Sequence, residues 1–349
     1  MTTTRTRRTL LAGAALASTA LVLSGCSGAG ASTGQDVTLM LDVAALPKHA
    51  PFYAAVSEGF FEEAGIDLEI MAGSGSGNTV TSVDTGRVDF GWADYGVTIL
   101  NQGEGAKVKQ VNLVQGQSAY ATIALPDSGI EDWDDLKGKT VATEAAGAPA
   151  KMWPAVVEAA GLSEGDVEIV AATGESKIPG LLAKQWDANI SLFVSDQPVL
   201  IGQGIDPVVL KWADVGVSYY GNGIVASDET LANDPELVTS FNTALSRGLI
   251  WSCQNPSLAA ADFMEQVPGF EQATVEAAIE AQCSVTWTPE NEELGFGSMS
   301  DEGVQKFIDL AGTYLGLADP DSLSPADVYT NEFITPIAVD EVITSPRAE

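Results

Sequence analysis

The only histidine of the chain, His49, is the first residue to examine for catalytic chemistry. A Ser-His-Asp or Cys-His site would need His49 as its base, because no other imidazole is present. The glycine-rich run 73–77 has Gly75 where a nucleophile elbow carries serine. We therefore predict that the chain is not an enzyme. His49 remains either a ligand contact or a histidine that satisfies a loop carbonyl.

Aromatic and polar residues lie where predicted strands end or where predicted helices begin. In α/β sheets ligands bind beyond the carboxyl ends of the strands, so we expect these side chains to face one cleft. Each residue taken alone also fits helix capping or core packing. Together they predict an aromatic, hydrogen-bonding pocket suited to a flat ring ligand. The candidate ligand contacts are His49, Phe52, Tyr53, Gly75, Ser76, Asp94, Tyr95, Glu144, Ser195, Asp196, Tyr219, Tyr220 and Asn222.

The elements that must position these residues alternate between short strands and helices. Apolar runs predict strands at 37–41 and 66–71, with a helix at 51–64 that ends at Gly65. The same alternation starts again after about residue 130, and 228–316 is almost all helix. Such alternation is typical of α/β domains with mostly parallel sheets.

We therefore predict an α/β fold of two doubly wound lobes, with a hinge and a ligand cleft between them. Lobe 1 comprises 36–124 and 226–345, and lobe 2 comprises 125–225. The chain is expected to cross between the lobes near 122–127 and near 222–228.

Residues 1–25 are predicted to be a lipoprotein signal peptide. Three arginines precede an apolar run at 10–23 that is too short to span a bilayer. The run ends in LSGC, which resembles the lipobox of bacterial lipoproteins, so we expect cleavage before Cys26 and lipidation of its sulfur. An ordinary secretory signal with a chance cysteine is the alternative. The stretch 26–35 is typical of a flexible tether.

Cysteine usage agrees with an extracytoplasmic location. Lipidation of Cys26 leaves Cys253 and Cys283, an even number in an oxidising compartment. We expect a disulfide between two helices, with two separate buried thiols as the alternative. No metal site is predicted, because neither a nearby histidine nor a C-x-x-C spacing accompanies these cysteines.

The chain is strongly acidic, with a formal net charge of −32. Removal of the three signal-peptide arginines makes the mature charge about −35 (−32 − 3). A protein of this charge repels nucleic acid and anionic membrane surfaces, so we exclude both as partners.

Several motifs match one family along nearly the whole mature chain. They are PKHAPFY at 47–53, EGFF at 58–61, AGIDL at 64–68, TGRVDFG at 85–91, DLKGK at 135–139 and YTNEF at 329–333. With these motifs the chain resembles ABC-transporter solute-binding proteins of the type II periplasmic binding fold. Within that class it is similar to the branch of thiamine-pyrimidine-precursor and sulfonate binders and of the fungal pyrimidine-precursor synthase.

The resemblance implies a monomer that captures a small molecule by closure of its lobes and delivers it to an ABC permease and ATPase. It implies no cofactor, and a location on the extracytoplasmic face of the cell membrane, held there through Cys26. The favoured ligand is a pyrimidine-like heteroaromatic nutrient. An alkanesulfonate such as taurine and an aromatic carboxylate are alternatives within the class.

The synthase is the alternative from another class. In that enzyme the segment matching 91–97 carries a lysine that holds pyridoxal phosphate and a histidine consumed in the reaction. Here the segment reads GWADYGV and has neither residue, so the resemblance favours the binding branch. A lipoprotein with a structural or chemosensory role is a third hypothesis.

Overall fold

The structure is a computed structural model, and it describes residues 34–145, 147–338 and 340–348. The predicted signal peptide and Cys26 lie outside the described residues. The strands are β1 (Gln35–Met40), β2 (Ile66–Met71), β3 (Phe90–Asp94), β4 (Val108–Leu113), β5 (Tyr120–Ala124), β6 (Thr140–Thr143), β7 (Glu168–Ala171), β8 (Ala188–Leu192), β9 (Val208–Lys211) and β10 (Asn222–Ser227).

The helices of the amino-terminal two thirds are α1 (Ala50–Ser57), α2 (Phe60–Glu63), α3 (Ser76–Asp84), α4 (Tyr95–Gly103), α5 (Ala148–Ala159), α6 (Gly174–Leu182) and α7 (Phe193–Gly202). Those that follow are α8 (Asp228–Asn233), α9 (Pro235–Gln254), α10 (Pro256–Gln266), α11 (Gln272–Thr286), α12 (Pro289–Leu294), α13 (Asp301–Leu310) and α14 (Pro325–Val328). A single π turn, Ala311–Leu315, extends α13.

Two five-stranded sheets have the same pattern. In the first, with order β2-β1-β3-β10-β4, β1 is parallel to β2 and β3, and β10 is antiparallel to β3 and β4. In the second, with order β7-β6-β8-β5-β9, β6 is parallel to β7 and β8, and β5 is antiparallel to β8 and β9. The predicted fold class, two α/β lobes, is confirmed.

The points at which the chain changes sheets differ from the predicted ones. β5 pairs with β8 and β9, so it belongs to the second sheet, although 120–124 was assigned to lobe 1. β10 belongs to the first sheet, although 222–225 was assigned to lobe 2. The crossings therefore lie at 114–119 and 212–221. Apolar composition predicts a strand but does not select its partner, because pairing depends on tertiary packing.

The helix predicted at 51–64 is two helices, α1 and α2. Gly59 separates them with φ of +82°, a left-handed conformation that glycine adopts without a steric penalty. The helical spacing of Phe52, Ala55 and Phe60 was recognised correctly, since all three lie in the core of the first lobe. The break turns the chain so that β2 can begin at Ile66 beside β1.

The carboxyl-terminal helices pack on both lobes. α9 and α10 cover α1 and join the core of the first lobe, whereas Ala281 and Val285 of α11 join the core formed by β5 and α7. The predicted disulfide is confirmed: Cys253 in α9 and Cys283 in α11 are bonded, with 5.8 Å between their Cα atoms. α11 is thereby fastened to the first lobe while it contacts the second.

Among the residues described, no helix has the length and apolar character needed to cross a bilayer.

Candidate functional site

The ends of strands from both sheets point to one region between the lobes. The parallel strands β1, β3, β6 and β8 end there, and the antiparallel strands β5 and β10 begin there. Asp42, Asp94 and Asn222 therefore come from the first sheet. Tyr120 and Glu144 come from the second. This is the edge at which α/β sheets bind ligands.

Asp42, two residues beyond β1, is the centre of a buried polar network. Its Oδ2 accepts hydrogen bonds from Lys48 Nζ at 2.6 Å and Asn222 Nδ2 at 3.3 Å. Its Oδ1 lies 2.8 Å from His49 Nε2. Burial alone would raise the pKa of Asp42, but the Lys48 charge and the bond to His49 outweigh burial and hold the pKa well below its usual range. Asp42 is therefore an ionised carboxylate whose two oxygens are occupied by protein groups.

His49 belongs to this network and is not exposed at the cleft. Its side chain is 0% exposed, and its Nδ1 accepts a hydrogen bond from the Leu46 N–H at 3.0 Å. Nε2 then carries the proton that it donates to Asp42. Burial lowers the pKa of His49, so the ring is neutral at pH 7. With both nitrogens engaged, His49 orients Asp42 and has no exposed surface at the cleft, whereas the sequence predicted it as a ligand contact.

The loop before α3 is held by the main chain of Asp42 and by the end of β3. Gly75 has φ of +118° and donates its N–H to the Asp42 carbonyl oxygen at 2.6 Å. A Cβ on Gly73 would lie 1.8 Å from the Leu41 carbonyl oxygen, so only glycine fits there. Ser76 Oγ accepts the Asp94 N–H at 3.1 Å and so ties this loop to the end of β3.

Asp94 caps α4 and faces the cleft. Its Oδ1 accepts the Val97 N–H at 2.9 Å, which satisfies one donor of the first helical turn. Burial raises the pKa of Asp94, and the nearby negative charge of Asp42 adds to that rise. The residue nevertheless keeps some exposed surface, as expected at a cleft wall.

Tyr120 links the two halves of the site. Burial raises the pKa of its phenol, and the charges of Asp94 from the first sheet and Glu144 from the second both add to the effect. A single phenol thus lies within electrostatic reach of carboxyls on opposite lobes. Its ring lies 5.3 Å from Trp212 and 6.4 Å from Tyr219, centroid to centroid.

The second lobe contributes an ion pair and a further carboxyl. Lys177 Nζ in α6 lies 3.3 Å from Glu144 Oε1 and also donates to the Ile190 carbonyl oxygen at 3.3 Å. Asp196 lies in the first turn of α7. Burial raises the pKa of Asp196, against the lowering effect of Lys177 and of the neighbouring Ser191 hydroxyl.

Several predicted contacts lie elsewhere. Phe52 is a core residue that packs edge-on against Trp92 at 4.9 Å, and Tyr53 packs against Phe263 of α10. Both rings were expected in the cleft because they begin a helix after a strand. That helix turns this face towards α9 and α10 instead.

Tyr95 and Tyr220 form part of the core where the lobes meet. Tyr95 packs against Tyr220 and Phe307, and the Tyr220 hydroxyl accepts the Ser300 N–H at 3.1 Å. Tyr219 also packs against Phe307, with centroids 4.9 Å apart. Ser195 is half-buried in the first turn of α7.

The two crossings are hydrogen-bonded to each other. Gln115 donates its N–H to the Asn222 carbonyl oxygen and accepts the Gly221 N–H, both at 2.9 Å. Its Oε1 accepts the Asn222 N–H at 2.9 Å, and its Nε2 donates to Gln282 Oε1 of α11 at 2.8 Å. The connection between the lobes is therefore continuous with the Asp42 network through Asn222.

The sequence reasoning missed Asp42, Tyr120, Lys177 and Gln115. Asp42 and Tyr120 carry a usable signal, because each is a polar or aromatic residue at the cleft end of a strand. Lys177 and Gln115 carry none, since their roles depend on partners more than thirty positions away. In the described part of the chain no cluster of three or more acidic, histidine or cysteine side chains fits a metal ion.

Comparison with known proteins identifies relatives of the chain. The family described as NMT1/THI5 like matches residues 46–259. The riboflavin-binding protein RibY of Chloroflexus aurantiacus is 29% identical over 245 residues, which cover 65% of this chain and 65% of RibY. The match thus spans slightly less than two thirds of that relative. The 4-amino-5-hydroxymethyl-2-methylpyrimidine phosphate synthase of Aspergillus parasiticus is 23% identical over 66% of this chain and 71% of that enzyme.

Solved structures share the fold. The periplasmic aliphatic sulphonate-binding protein SsuA from Escherichia coli superposes with a TM-score of 0.63. The superposition covers 84% of this chain and 95% of SsuA at 15% sequence identity. The two-lobed architecture is therefore that of periplasmic binding proteins.

Proposed function

Because the chain belongs to the NMT1/THI5-like family, whose match covers residues 46–259, we propose that it is the substrate-binding protein of an ABC importer. It captures a small heteroaromatic nutrient, of the pyrimidine or thiamine-precursor kind, by closure of the two lobes. Its partners are the ligand and the permease and ATPase subunits that receive it, and it acts as a monomer.

The main support for the proposal is that polar and aromatic groups from both sheets lie where the strands end. Asp94 on one lobe and Glu144 on the other both act electrostatically on the Tyr120 phenol. A ligand placed among these groups would contact both lobes, and its binding energy would favour the closed arrangement. The two curated relatives, one named for riboflavin and one for a pyrimidine phosphate, support a ring-shaped ligand.

We infer that the protein is lipid-anchored on the extracytoplasmic face of the cell membrane. The inference rests on the LSGC sequence that ends at Cys26 and on the tether 26–35. The disulfide between Cys253 and Cys283 supports an oxidising compartment.

The synthase is the competing function, since a relative carries that name. The sequence opposes a synthase activity, because segment 91–97 has neither the lysine nor the histidine that the synthase uses in its reaction. His49 does not replace them, because both of its ring nitrogens are engaged within the protein. We therefore propose a binding protein and not an enzyme.

An alkanesulfonate or an aromatic carboxylate is the second candidate ligand, favoured by the structural likeness to SsuA. The charges at the site oppose it. Lys48 and Lys177 are the lysines that act on the cleft carboxyls, and each is already paired with an acid.

A thermal-shift screen of the full-length protein tests the proposal. The panel contains vitamins, pyrimidines, alkanesulfonates and aromatic acids. A ligand at about 100 times its Kd should add roughly 2.7 kcal/mol of stability. With about 2.1 cal/mol/K of unfolding entropy per residue over about 316 residues, this is a rise of about 4 °C in Tm. A shift by aliphatic sulfonates alone would refute the heteroaromatic ligand, and no shift by any compound would refute the binding function.

A further inference from the structure

β7 is an edge strand with unpaired peptide groups on its outer side. It is the first strand in the order of the second sheet, and β6 is the only described strand that pairs with it. Glu168 and Ala172 donate their N–H groups to carbonyl oxygens on the β6 side, each at 2.9 Å. Because peptide groups alternate between the two sides of a strand, those of Ile169 and Ala171 point away from β6. No described backbone group accepts their N–H groups, so this edge can pair with another strand.

An apolar groove lies beside this edge. It has a volume of about 590 Å³ and is formed by the second half of α5, the loop that follows and the start of β7. The side chain of Ile169, which is 40% exposed, opens onto the groove. A volume of this size is typical of cavities that bind another molecule. The other apolar side chains that line the groove are Trp153, Pro154, Val157, Leu162 and Val167.

The corresponding strand of the first lobe is covered by the chain itself. That strand is β2, whose apolar residues Ile66 and Leu68 are only 4% and 9% exposed. α2 packs against β2, and α9 packs against α2, with the rings of Phe61 and Phe241 5.4 Å apart. In the second lobe no described helix packs closely on β7. The second lobe therefore lacks a layer that the first lobe has, and Ile169 is left exposed.

The rim of the groove is acidic. Glu158 and Glu164 line it, and Glu168 is exposed on β7. No lysine or arginine is among its described lining residues, and Lys139 donates instead to the Ser128 carbonyl oxygen at 3.0 Å. A partner with positive groups beside an apolar centre complements this surface. A second copy of this acidic chain would bring the same glutamates together, so charge disfavours it as the occupant.

The groove lies at the end of the second lobe that is remote from the cleft. β6 ends at the cleft, and β7 is parallel to it, so the first residues of β7 lie at the opposite end. α5 begins beside the cleft at Ala148, and its later turns form the groove. A molecule bound here would leave the cleft accessible.

We propose that β7 and this groove form a docking site for an extended, basic segment of a partner protein. The segment adds a strand to the second sheet by pairing with the outward peptide groups of Ile169 and Ala171. Alternate side chains of the added strand share the face of Ile169, and they insert large apolar groups into the groove. Flanking lysine or arginine side chains meet Glu158 and Glu164. This surface is separate from the cleft, and its role does not depend on the proposed ligand.

Isothermal titration of the full-length protein with synthetic peptides tests the docking site. The probe is a capped peptide of seven residues with valine, phenylalanine and valine at the second, fourth and sixth positions, serine between them and arginine at both ends. It should bind at least tenfold more tightly than a peptide of the same composition in which the alternation is broken. It should exceed by the same factor a peptide with glutamate at both ends, and its affinity should fall as salt is added.

Two variants locate the contact on β7. Ala171→Pro removes an outward N–H without breaking a bond to β6, and an edge strand tolerates proline at such a position. Ile169→Lys places a positive charge at the groove. Each variant should keep the Tm of the wild type and bind the probe at least tenfold more weakly. Leu258→Lys, which changes a residue of α10 that is 57% exposed, is the matched control and should leave the Kd unchanged.

Amide hydrogen exchange reports strand pairing directly. The bound probe should slow exchange at Ile169 and Ala171 at least tenfold, and unchanged exchange there would refute strand addition. Equal binding of the peptide with broken alternation, or an unchanged Kd for Ala171→Pro, would also refute it. A dimer of the wild type that Ile169→Lys abolishes would identify a second copy as the occupant and overturn the proposal. Absence of binding at about 1 mM probe would refute the docking site and leave the proposed function untouched.

Discussion

Replacement of Asp42 by alanine should lower the stability of the protein by about 3–5 kcal/mol, the usual cost of removing one partner of a buried ion pair. Asp42 Oδ2 lies 2.6 Å from Lys48 Nζ, and the side chains of the pair are 9% and 5% exposed. Without Asp42, Lys48 loses its counter-ion and His49 its acceptor. Asn222, the first residue of β10, loses a hydrogen bond as well.

The expected change in Tm follows from the size of the chain. About 316 residues with about 2.1 cal/mol/K of unfolding entropy each give about 0.7 kcal/mol/K, so 3–5 kcal/mol corresponds to about 4–7 °C. The assay is differential scanning fluorimetry at pH 7. Asp134→Ala is the control, since Asp134 forms an exposed pair with Lys137 and should shift Tm by about 1 °C or less.

The pH dependence provides a second readout. The pKa of Asp42 is held well below its unfolded value, so its stabilisation is present above about pH 4 and is lost as pH falls through the folded pKa. The difference in Tm between wild type and Asp42→Ala should therefore shrink as the solution is acidified below about pH 4. A decrease of less than 2 °C for Asp42→Ala at pH 7, or one equal to that of Asp134→Ala, would refute the role of this network.

Three further predictions concern other parts of the chain. Replacement of Cys253 and Cys283 by serine opens a loop of 30 residues and should cost about 3.5 kcal/mol, or roughly 5 °C in Tm; an unchanged Tm would contradict this. Burial and the Glu58 charge raise the pKa of Asp262 to about 7, so its contribution to stability falls as pH rises from about 4 to 7. Asp262→Asn should then raise Tm at pH 8 by about 1–2 °C and leave it unchanged at pH 4. The expected rise is small because solvent screens the charge at this half-exposed site. No rise at pH 8 would contradict this prediction. Cys26→Ser should move the protein from the membrane fraction to the soluble fraction, and retention in the membrane would refute the lipid anchor.

The strand–helix alternation was predictable because it depends on local spacing. The boundaries of β2 agree with the predicted 66–71, since turn residues bound this strand. The disulfide was also predictable, because the number of cysteines and the expected compartment limit the pairing. The partner sheet of β5 was not predictable, because an apolar strand fits either sheet.

The site was predicted only in part. Asp94, Glu144 and Asp196 were chosen as candidate contacts because topology places residues at or just beyond strand ends at one edge, and they stay predictions. The burial of His49 against Asp42 was not predictable, because Asp42 lies in the preceding loop and local sequence does not indicate the pairing. The packing of Phe52 against Trp92 and of Tyr53 against α10 was not predictable, because the direction of a helix face depends on the helices that cover it.

The most direct test of the central claim is the binding stoichiometry and affinity of the best ligand for wild type, Tyr120→Ala and Tyr53→Ala, measured by isothermal titration calorimetry. Tyr120 lies at the cleft, whereas Tyr53 packs against α10 and serves as the matched control. We expect one site per chain, with a Kd that rises about tenfold for Tyr120→Ala, equivalent to about 1.4 kcal/mol, and stays unchanged for Tyr53→Ala. An unchanged Kd for Tyr120→Ala would contradict binding between the two lobes.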